Sequence, residues 1–447
     1  MTPADLGQLD RHARRKAIRL AYWNGGLWAV GNGLTSTMLI IYLAQELGAL
    51  GLAVGAIVAA PRLLGLARLG APALLARIAS RRAFCVWFYA LSNLLLLLLP
   101  VCSAPGVLGS PTASLAALVL LWSGYHLLEF FATIALWSWF HDLVPRQVRG
   151  RFFGQRERFL TVGRIAGMLA SGAFAYVWRA SMPGAPRWLA YAIPAGAGAL
   201  VMLLAVAPLA HMADPKSADA NAAGRASLGP ALRNAALWRL VAFGIVFSFV
   251  NGTTQAPQAI YAYRVLEFSL LAMMLFRSVM FAGQSLIGPR VGWLADRFGN
   301  RPVMVVSQVL IALGPLFHLL STPERRWPLA VAYVAWIAYA GINVGLPAML
   351  LKLGDRREAS PRVSIYFAVT GLAYGCGTLL GGALFDWMTE TEFALRLGAT
   401  VLDPFGAFFL FGTVGRLLAA LLLVQLIEPG AFCLRDLVSA AARQSRN

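Results

Sequence analysis

One acidic residue, Glu129, lies in the middle of a long apolar stretch and is the strongest candidate for chemistry in this sequence. His126 at i−3 and Thr133 at i+4 share one face with it if the segment is helical. A carboxyl group held away from water resists ionisation, and beside an imidazole it could exchange a proton or bind a cation. A structural alternative stays open, in which Glu129 neutralises a fixed arginine such as Arg164 or Arg62 and holds helices together.

Amides and arginines interrupt other apolar stretches. The amides could hydrogen bond to a polar solute, although two of them belong to matched Asn-Gly pairs that would serve equally well as notches for helix packing. The deepest arginines could meet an anionic group of the solute. The residues predicted to bind or couple a solute are Glu129, His126, Asn32, Asn251, Gln255, Gln258, Arg62 and Arg277.

The composition indicates a membrane protein. Of the 447 residues, 59% are hydrophobic and 13% are charged, and the mean hydropathy is +0.67, whereas soluble proteins carry roughly 25% charged residues. A helix needs about 20 apolar residues to cross the hydrocarbon core. Twelve segments satisfy this, near residues 18–45, 50–70, 84–104, 113–140, 158–178, 188–210, 237–261, 270–289, 303–321, 328–351, 363–386 and 405–427.

The net charge of +19 follows membrane topology. Most lysines and arginines fall on alternate connecting segments, those that twelve spans with a cytoplasmic N-terminus place inside. A nucleic-acid partner would need one contiguous basic face instead, so no nucleic acid is expected. The basic N-terminal residues run into an apolar stretch long enough to span, which is not the pattern of a cleaved signal peptide. We expect an integral protein of the bacterial cytoplasmic (inner) membrane with both termini in the cytoplasm.

The chain consists of two similar halves. The shift that lays Asn32-Gly33-Leu34-Thr35 on Asn251-Gly252-Thr253-Thr254 also lays Tyr42 on Tyr261. A polar linker rich in Ala, Gly, Ser and Pro separates the halves. The predicted organisation is a cytoplasmic segment 1–16, a six-helix bundle 17–210, a cytoplasmic linker 211–236, a second six-helix bundle 237–428 and a cytoplasmic tail 429–447.

A short hydrophilic turn between two apolar stretches reads Gly292-Trp-Leu-Ala-Asp296-Arg297-Phe-Gly299-Asn-Arg301. It resembles the cytoplasmic loop G-x-L-a-D-r-x-G-r-[KR] of the major facilitator superfamily, and the span count, the linker and the repeat fit the same family. The resemblance implies an all-α membrane fold of 12 transmembrane helices in two pseudo-symmetric six-helix bundles. It also implies that Gly292, Asp296, Arg297, Gly299 and Arg301 form a gating loop whose contacts hold the inner gate of the outward-facing state.

The same resemblance implies secondary transport of a small solute by alternating access, and Glu129 adds the expectation of proton coupling. The alternative is a protein of this fold that handles lipids or serves as an accessory subunit without transporting a solute. An enzyme is not expected, because the sequence lacks a catalytic group set such as paired carboxylates. ATP-driven transport is not expected either, because the sequence has no nucleotide-binding G-x-x-x-x-G-K-[ST] loop. Scattered cysteines and histidines predict no metal site, and no cofactor is expected. The expected partners are a small-molecule substrate, protons and membrane lipids, with the chain acting as a monomer.

Overall fold

The structure is a computed structural model that describes residues 11–70, 78, 80–144, 148–214, 232–353, 359–398, 400–428 and 431. Within these residues 11 helices are long and apolar enough to cross a membrane, and a shorter apolar helix, Gly51–Ala67, stands where the second span is predicted. The prediction of an all-α protein with twelve membrane helices is therefore confirmed. The predicted linker and tails fall largely on residues 1–10, 215–231, 429–430 and 432–447, which lie outside the described residues.

The first six spans begin with a helix that is broken near its end. Span 1 consists of Arg11–Leu34 and Thr37–Glu46, and span 2 of Gly51–Leu63 with the 3-10 turn Leu64–Gly70. Spans 3, 4 and 5 are the single helices Arg81–Cys102, Pro111–Leu143 and Arg149–Ser181. Span 6 consists of two helices, Leu189–Leu204 and Val206–Ala210.

The second six spans also begin with a broken helix. Span 7 consists of Ala235–Thr253, Gln255–Ile260 and the π turn Tyr261–Val265. Spans 8 to 12 have the bounds Leu270–Phe298, Asn300–Leu319, Trp327–Ala335 with the 3-10 turn Trp336–Ala338 and Tyr339–Lys352, Ala359–Glu390, and Pro404–Val424. A small antiparallel hairpin of β1 (Leu395–Leu397) and β2 (Thr400–Leu402) connects the last two spans.

Side-chain caps fix where several helices begin. Ser80, Ser110, Asn234 and Asp403 each accept a hydrogen bond from the backbone amide three residues later. These residue types satisfy amides that the first helical turn leaves unpaired. Proline follows two of these caps at the first helical position, where its missing N–H group is not needed.

Apolar side chains are exposed along the spans. Leu286, Trp87 and Leu120 are 74%, 73% and 71% exposed, and many other leucines, valines and aromatic residues of the spans are exposed as well. Such an apolar surface is unfavourable in water and suits contact with lipid tails. The chain is therefore an integral membrane protein.

The chain divides into two compact units. The first holds spans 1 to 6 together with Ser269–Leu275, and the second holds the rest of the spans. In the first unit, span 1 packs most extensively on span 5 and span 3 on span 4. In the second unit, span 7 packs most extensively on span 11 and span 9 on span 10. The pairing of spans 1 and 5 therefore has its counterpart in the pairing of spans 7 and 11, as expected for a repeat.

Glycines bring paired helices into backbone contact in both units. A Cβ atom on Gly33 would lie closer than 3.0 Å to the carbonyl oxygen of Arg164 in span 5. A Cβ atom on Gly252 would lie closer than 3.0 Å to the carbonyl oxygen of Tyr374 in span 11. The glycines of the two matched Asn-Gly pairs therefore serve as packing notches.

Candidate substrate and coupling site

Both matched asparagines lie just before a break in their span. Span 1 breaks between Leu34 and Thr37, shortly after Asn32, and span 7 breaks at Thr254, shortly after Asn251. Broken helices inside a membrane expose backbone polar groups, which is tolerated where they line a solute site or are buried in protein. The two breaks therefore mark the places at which each unit can offer polar groups to a solute.

Glu129 lies on span 4, is half-buried and begins a chain of hydrogen bonds that leads to span 3. The hydroxyl of Thr133 donates to Oε1 of Glu129 at 3.0 Å. The hydroxyl of Tyr89 lies 2.9 Å from the Thr133 oxygen, and because Thr133 gives its proton to Glu129, Tyr89 is the donor in that bond. Tyr89 is only 6% exposed. The sequence singles out Thr133 by its helical spacing, whereas no spacing rule connects Tyr89 to Glu129.

His126 lies in an aromatic cluster. Its ring is perpendicular to that of Trp122 at 4.4 Å between centroids and lies 4.8 Å from that of Tyr125. Its Nε2 atom has no hydrogen-bond partner among the described residues. The structure thus gives His126 aromatic neighbours rather than a hydrogen bond to Glu129, and its part in coupling stays a prediction.

Tyr125 connects the predicted residues of the first unit. Its hydroxyl lies within hydrogen-bonding reach of Asn32 and 3.6 Å from Sδ of Met202 in span 6. Tyr125 is buried and lies within electrostatic range of both Glu129 and Arg164. Asn32 and Glu129 are therefore near one another around Tyr125, and Arg164 is near enough to keep the structural alternative for Glu129 open.

Span 12 carries a fully buried arginine, Arg416. Its Nη2 atom donates to Oδ1 of Asn251 at 2.8 Å and to the hydroxyl oxygen of Thr254 at 3.1 Å. Gln255 donates to the same Asn251 oxygen at 3.4 Å. No described carboxylate pairs with Arg416, and ionisable groups inside a membrane are generally functional. We name Arg416, Asn251, Thr254 and Gln255 the span 7–12 network.

The remaining predicted polar residues do not hydrogen bond to Arg416. Gln258 is 7% exposed, and its Nε2 atom has no partner among the described residues. Arg277 is half-buried on span 8 near Tyr333, and Arg62 is exposed at the end of the helix in span 2. Their positions within the apolar segments make Arg62 and Arg277 better candidates for solute binding than Arg416. The burial of a side chain, however, depends on which helices pack around it. That packing is not visible in one segment.

Each unit carries a tryptophan and a tyrosine at matching positions. Trp122-Ser-Gly-Tyr125 in span 4 corresponds to Trp336-Ile-Ala-Tyr339 around the start of the last helix in span 10. Both indole nitrogens donate to a backbone carbonyl, but of different spans: Trp122 to Ile57 of span 2 at 2.9 Å, and Trp336 to Ile311 of span 9 at 3.3 Å. We call these four residues the aromatic frame, because they give equivalent positions in the two halves.

The two units place opposite charges around this aromatic frame. The offset that matches the frame residues also lays Glu129 on Asn343 and Met202 on Arg416. The first unit therefore has a carboxyl group on span 4 and a neutral thioether on span 6. The second unit has a neutral amide on span 10 and a guanidinium on span 12, so the repeat is symmetric in shape but not in charge.

The predicted gating loop ends span 8 and begins span 9. Gly299 has a φ of +98°, a left-handed conformation that glycine tolerates best. Glu428, which follows span 12, accepts hydrogen bonds from the backbone nitrogen of Arg301 and from Nδ2 of Asn300, both at 2.7 Å. Nζ of Lys352 forms an ion pair with Glu428 at 3.0 Å. Glu428 therefore caps the first turn of span 9 and ties it to the end of span 10.

Asp296, the acidic residue of the predicted gating loop, does not provide this cap. The Asp296 side chain is exposed and forms no hydrogen bond or ion pair with any described residue. The Arg297 guanidinium lies over the ring of Trp293, 5.4 Å from its centroid. The guanidinium of Arg301 donates to the carbonyl of Leu426 at 3.1 Å. The gating roles of Asp296 and Arg297 stay predictions.

Gly292 lies within span 8 and has little around it. A Cβ atom on it would meet only the side chain of Val344, at 3.9 Å. Close helix packing at this glycine is therefore not a feature of the described structure, and its part in the gating loop stays a prediction.

Hydrogen bonds lower the pKa of Glu428 below its ordinary value of 4.5. Burial alone would raise this pKa, but donors from the backbone of Arg301, from the backbone and side chain of Asn300, and from Lys352 together outweigh it. Glu428 is therefore a stable anion at the cytoplasmic end that the topology predicts for this loop.

Sequence comparison covers the half that contains this loop. Residues 241–431 match the family model described as the Major Facilitator Superfamily. The second half of the chain is therefore similar to the major facilitator superfamily. No curated protein matches the sequence.

Solved structures with the superfamily fold extend the likeness to the whole chain. A mutant of the nucleoside transporter NupG is 17% identical, with a TM-score of 0.63, and the match covers 93% of this chain and 100% of the NupG chain. A bacterial homologue of the human lysosomal transporter Spinster, inward-facing and occupied, is 16% identical, with a TM-score of 0.64 and coverages of 97% and 98%. A D-xylose-proton symporter is 13% identical, with a TM-score of 0.65 and coverages of 94% and 99%. At these identities the likeness concerns the fold alone.

Family and fold together indicate a secondary transporter rather than an enzyme. Among the described residues, no group of three or more His, Cys, Asp or Glu residues is arranged to hold a metal ion. Two hydrogen-bonded groups of polar side chains inside the spans are the chain around Glu129 in the first unit and the span 7–12 network in the second.

Proposed function

We propose that this protein is a secondary active transporter that moves a small polar solute across the cytoplasmic membrane by alternating access, coupled to protons through Glu129. The observation that carries the proposal is the hydrogen-bonded chain Glu129–Thr133–Tyr89 between spans 4 and 3. An ionised side chain at mid-membrane depth costs at least about 2.5–3.5 kcal/mol on insertion scales. Glu129 is hydrogen bonded to the hydroxyl of Thr133, which is in turn bonded to that of Tyr89, and a carboxyl group in this setting is suited to gaining and losing a proton.

Protonation of Glu129 changes the charge inside the first unit. The ionised carboxylate needs hydrogen-bond donors, and Thr133 supplies one of them. The protonated carboxyl group is neutral, so the penalty for keeping it out of water falls. A conformation that exposes Glu129 to water therefore favours the ionised form, and one that buries it favours the protonated form. This difference is what links proton binding to a conformational equilibrium.

The solute side of the proposal rests on the broken spans. Asn32 and Asn251 offer amide groups beside the breaks of spans 1 and 7, and Gln255 lies one turn after Asn251. Amides both donate and accept hydrogen bonds, so they suit a polar solute. In this proposal one chain is the transporting unit, both termini are cytoplasmic, and membrane lipids surround the exposed apolar side chains.

The proposal is tested by measuring unfolding temperature in detergent against a panel of metabolites, drugs and lipids, at mildly acidic and at neutral pH. A ligand that binds only the folded state stabilises it by mass action. We expect a water-soluble compound whose stabilising effect depends on pH, and we expect Glu129→Gln to remove that dependence while leaving the protein folded. Glu157→Gln, which removes an exposed acidic residue of span 5, is the matched control and should keep the dependence.

A different result would support the accessory or lipid-handling alternative. In that case lipids alone would stabilise the protein, and Glu129→Gln would unfold it at both pH values because the carboxylate only holds helices together.

A further inference from the structure

The span 7–12 network presents hydrogen-bond donors on its accessible side. An arginine can donate hydrogen bonds but cannot accept them, so Arg416 fixes the oxygen of the Asn251 amide towards itself. Gln255 donates to the same oxygen. The NH₂ group of Asn251 is left facing away from Arg416, and Asn251 is half-buried whereas Arg416 is fully buried. A solute that reaches Asn251 therefore meets N–H donors with a fixed positive charge behind them.

Arg416 has unused donors. Its Nε and Nη1 atoms have no hydrogen-bond partner among the described residues. Nη1 lies beside Gly412, where a Cβ atom would sit 3.4 Å from it. Tyr339 and Tyr374 are within electrostatic range, but a tyrosine is neutral at neutral pH. Buried charges in proteins are normally paired, so the missing negative charge points to a ligand.

The first unit shows that the helix packing does not need this charge. Met202 holds the position in span 6 that Arg416 holds in span 12, and its Sδ atom lies near the hydroxyl of Tyr125 in the aromatic frame. The equivalent tyrosine of the second unit, Tyr339, lies near Arg416. A methionine therefore fits this place in the repeat, and the guanidinium of Arg416 has another use.

We propose that the solute carries an oxyanion, a carboxylate or a phosphate, that binds to Asn251 and Arg416 between spans 7 and 12. The inference rests on the proposed transport function and names the substrate class. In this proposal the oxyanion accepts hydrogen bonds from the Asn251 amide and from the unused Nε and Nη1 donors of Arg416. A guanidinium presents donors in a planar fork that matches the two oxygens of a carboxylate or phosphate. The bound oxyanion supplies the negative charge that the described chain lacks at this place.

The test uses the full-length protein in detergent and small probes in matched pairs. Acetate and succinate are compared with acetamide and succinamide, and inorganic phosphate and glycerol 3-phosphate with sodium chloride and glycerol at equal ionic strength. We expect at least one oxyanion to raise the unfolding temperature and its neutral or chloride counterpart to leave it unchanged. The carboxylate and phosphate arms tell the two sources of the oxyanion apart. Absence of stabilisation by every oxyanion overturns the proposal.

Arg416→Met then tests the site itself, because it copies the residue of the equivalent position. We expect this variant to fold with an unfolding temperature no lower than that of the wild type and to lose the oxyanion effect completely. Arg239→Gln, which removes an exposed arginine at the start of span 7, is the matched control and should keep the effect. An Arg416→Met protein that folds and still responds to oxyanions contradicts the proposal.

If Arg416→Met does not fold, Asn251→Asp gives the answer. It places a carboxylate against Nη2 of Arg416, which supplies the missing charge from within the chain. We expect this variant to fold and to lose the oxyanion effect, whereas an unchanged effect overturns the proposal. The oxyanion site and the proposed transport function can fail independently. Transport of uncharged or cationic solutes only would contradict the oxyanion site alone. Absence of transport for any solute would contradict the transport function.

Discussion

The Oε2 atom of Glu428 lies 2.7 Å from the backbone nitrogen of Arg301, so a residue beyond span 12 caps the helix of span 9. The other carboxylate oxygen accepts from Asn300 at 2.7 Å and from Lys352 at 3.0 Å. Glu428 is only 8% exposed. Three segments that are far apart in sequence therefore meet at one carboxylate.

Replacing Glu428 with alanine should lower the free energy of unfolding by about 1–2 kcal/mol, because it removes a helix cap and leaves donors of Asn300 and Arg301 unpaired. Lys352→Gln should cost less than about 1 kcal/mol, since the Lys352 side chain is 55% exposed and exposed ion pairs contribute little. Unfolding of the purified variants in detergent, followed by circular dichroism, measures both effects. Equal losses for the two variants, or none for Glu428→Ala, would count against the capping role.

The lowered pKa of Glu428 predicts how stability depends on pH. A carboxyl group with a lower pKa in the folded state stabilises that state above its unfolded pKa, close to the ordinary value of 4.5, and the contribution is lost as the pH falls through the folded pKa. Below pH 4.5, stability should therefore fall less steeply in Glu428→Gln than in the wild type. Unfolding temperatures of both proteins across an acid pH series test this. Parallel curves would show that Glu428 titrates alike in both states.

The packing notches predict position-specific effects of alanine. Gly33→Ala and Gly252→Ala place a methyl group closer than 3.0 Å to a backbone carbonyl of the facing span, and overpacking of this kind costs about 1–3 kcal/mol. Gly26 and Gly288 are matched controls within spans 1 and 8, because a Cβ atom on either has no neighbour within 4 Å. Lower unfolding temperatures are expected for the first two variants and unchanged or higher ones for the controls. The notch account fails if all four variants behave alike.

The chain from Glu129 predicts a graded effect on proton coupling. Tyr89→Phe removes the hydroxyl at the far end of the chain, and Thr133→Val removes the link in the middle. Both variants keep the carboxyl group, so each should still transport solute with altered pH dependence, and Thr133→Val should have the larger effect because it takes the donor from Glu129. The measurement is initial transport rate against pH in vesicles. Profiles identical to that of the wild type would show that Glu129 exchanges its proton by another route.

Replacing Asp296 should change the transport rate without changing the stability of the protein. It is exposed and has no partner among the described residues, so Asp296→Asn should leave the unfolding temperature unchanged. If it acts at the gate, as the family motif implies, the same variant should change the transport rate several-fold. A normal transport rate in Asp296→Asn would show that Asp296 has no part in gating.

The spans could be predicted from the sequence because each is a long apolar run, and the repeat because Asn32-Gly33 and Asn251-Gly252 keep their register. Glu129 could be found because a carboxyl group is conspicuous in an apolar stretch. Its relation to Tyr89 could not, since the two lie on different helices and only packing brings them together. Glu428 was predicted as part of the second bundle without a role, because its partners come from spans 9 and 10.

Arg416 shows the same limit in another way. Its place within a span follows from the sequence, but full burial against Asn251 depends on how spans 7 and 12 cross. The equivalence with Met202 becomes informative only once the aromatic frame fixes the alignment of the two units. Charge differences between otherwise matched halves are therefore a useful guide to function in this fold.

Proton movement in reconstituted liposomes shows whether Glu129 couples solute movement to protons. A pH-sensitive dye inside the liposomes would report proton entry when a solute gradient is imposed without a pH gradient. We expect solute-dependent proton movement in the wild type and its loss in Glu129→Gln, with solute exchange retained. Equal proton movement in the wild type and Glu129→Gln would contradict this coupling.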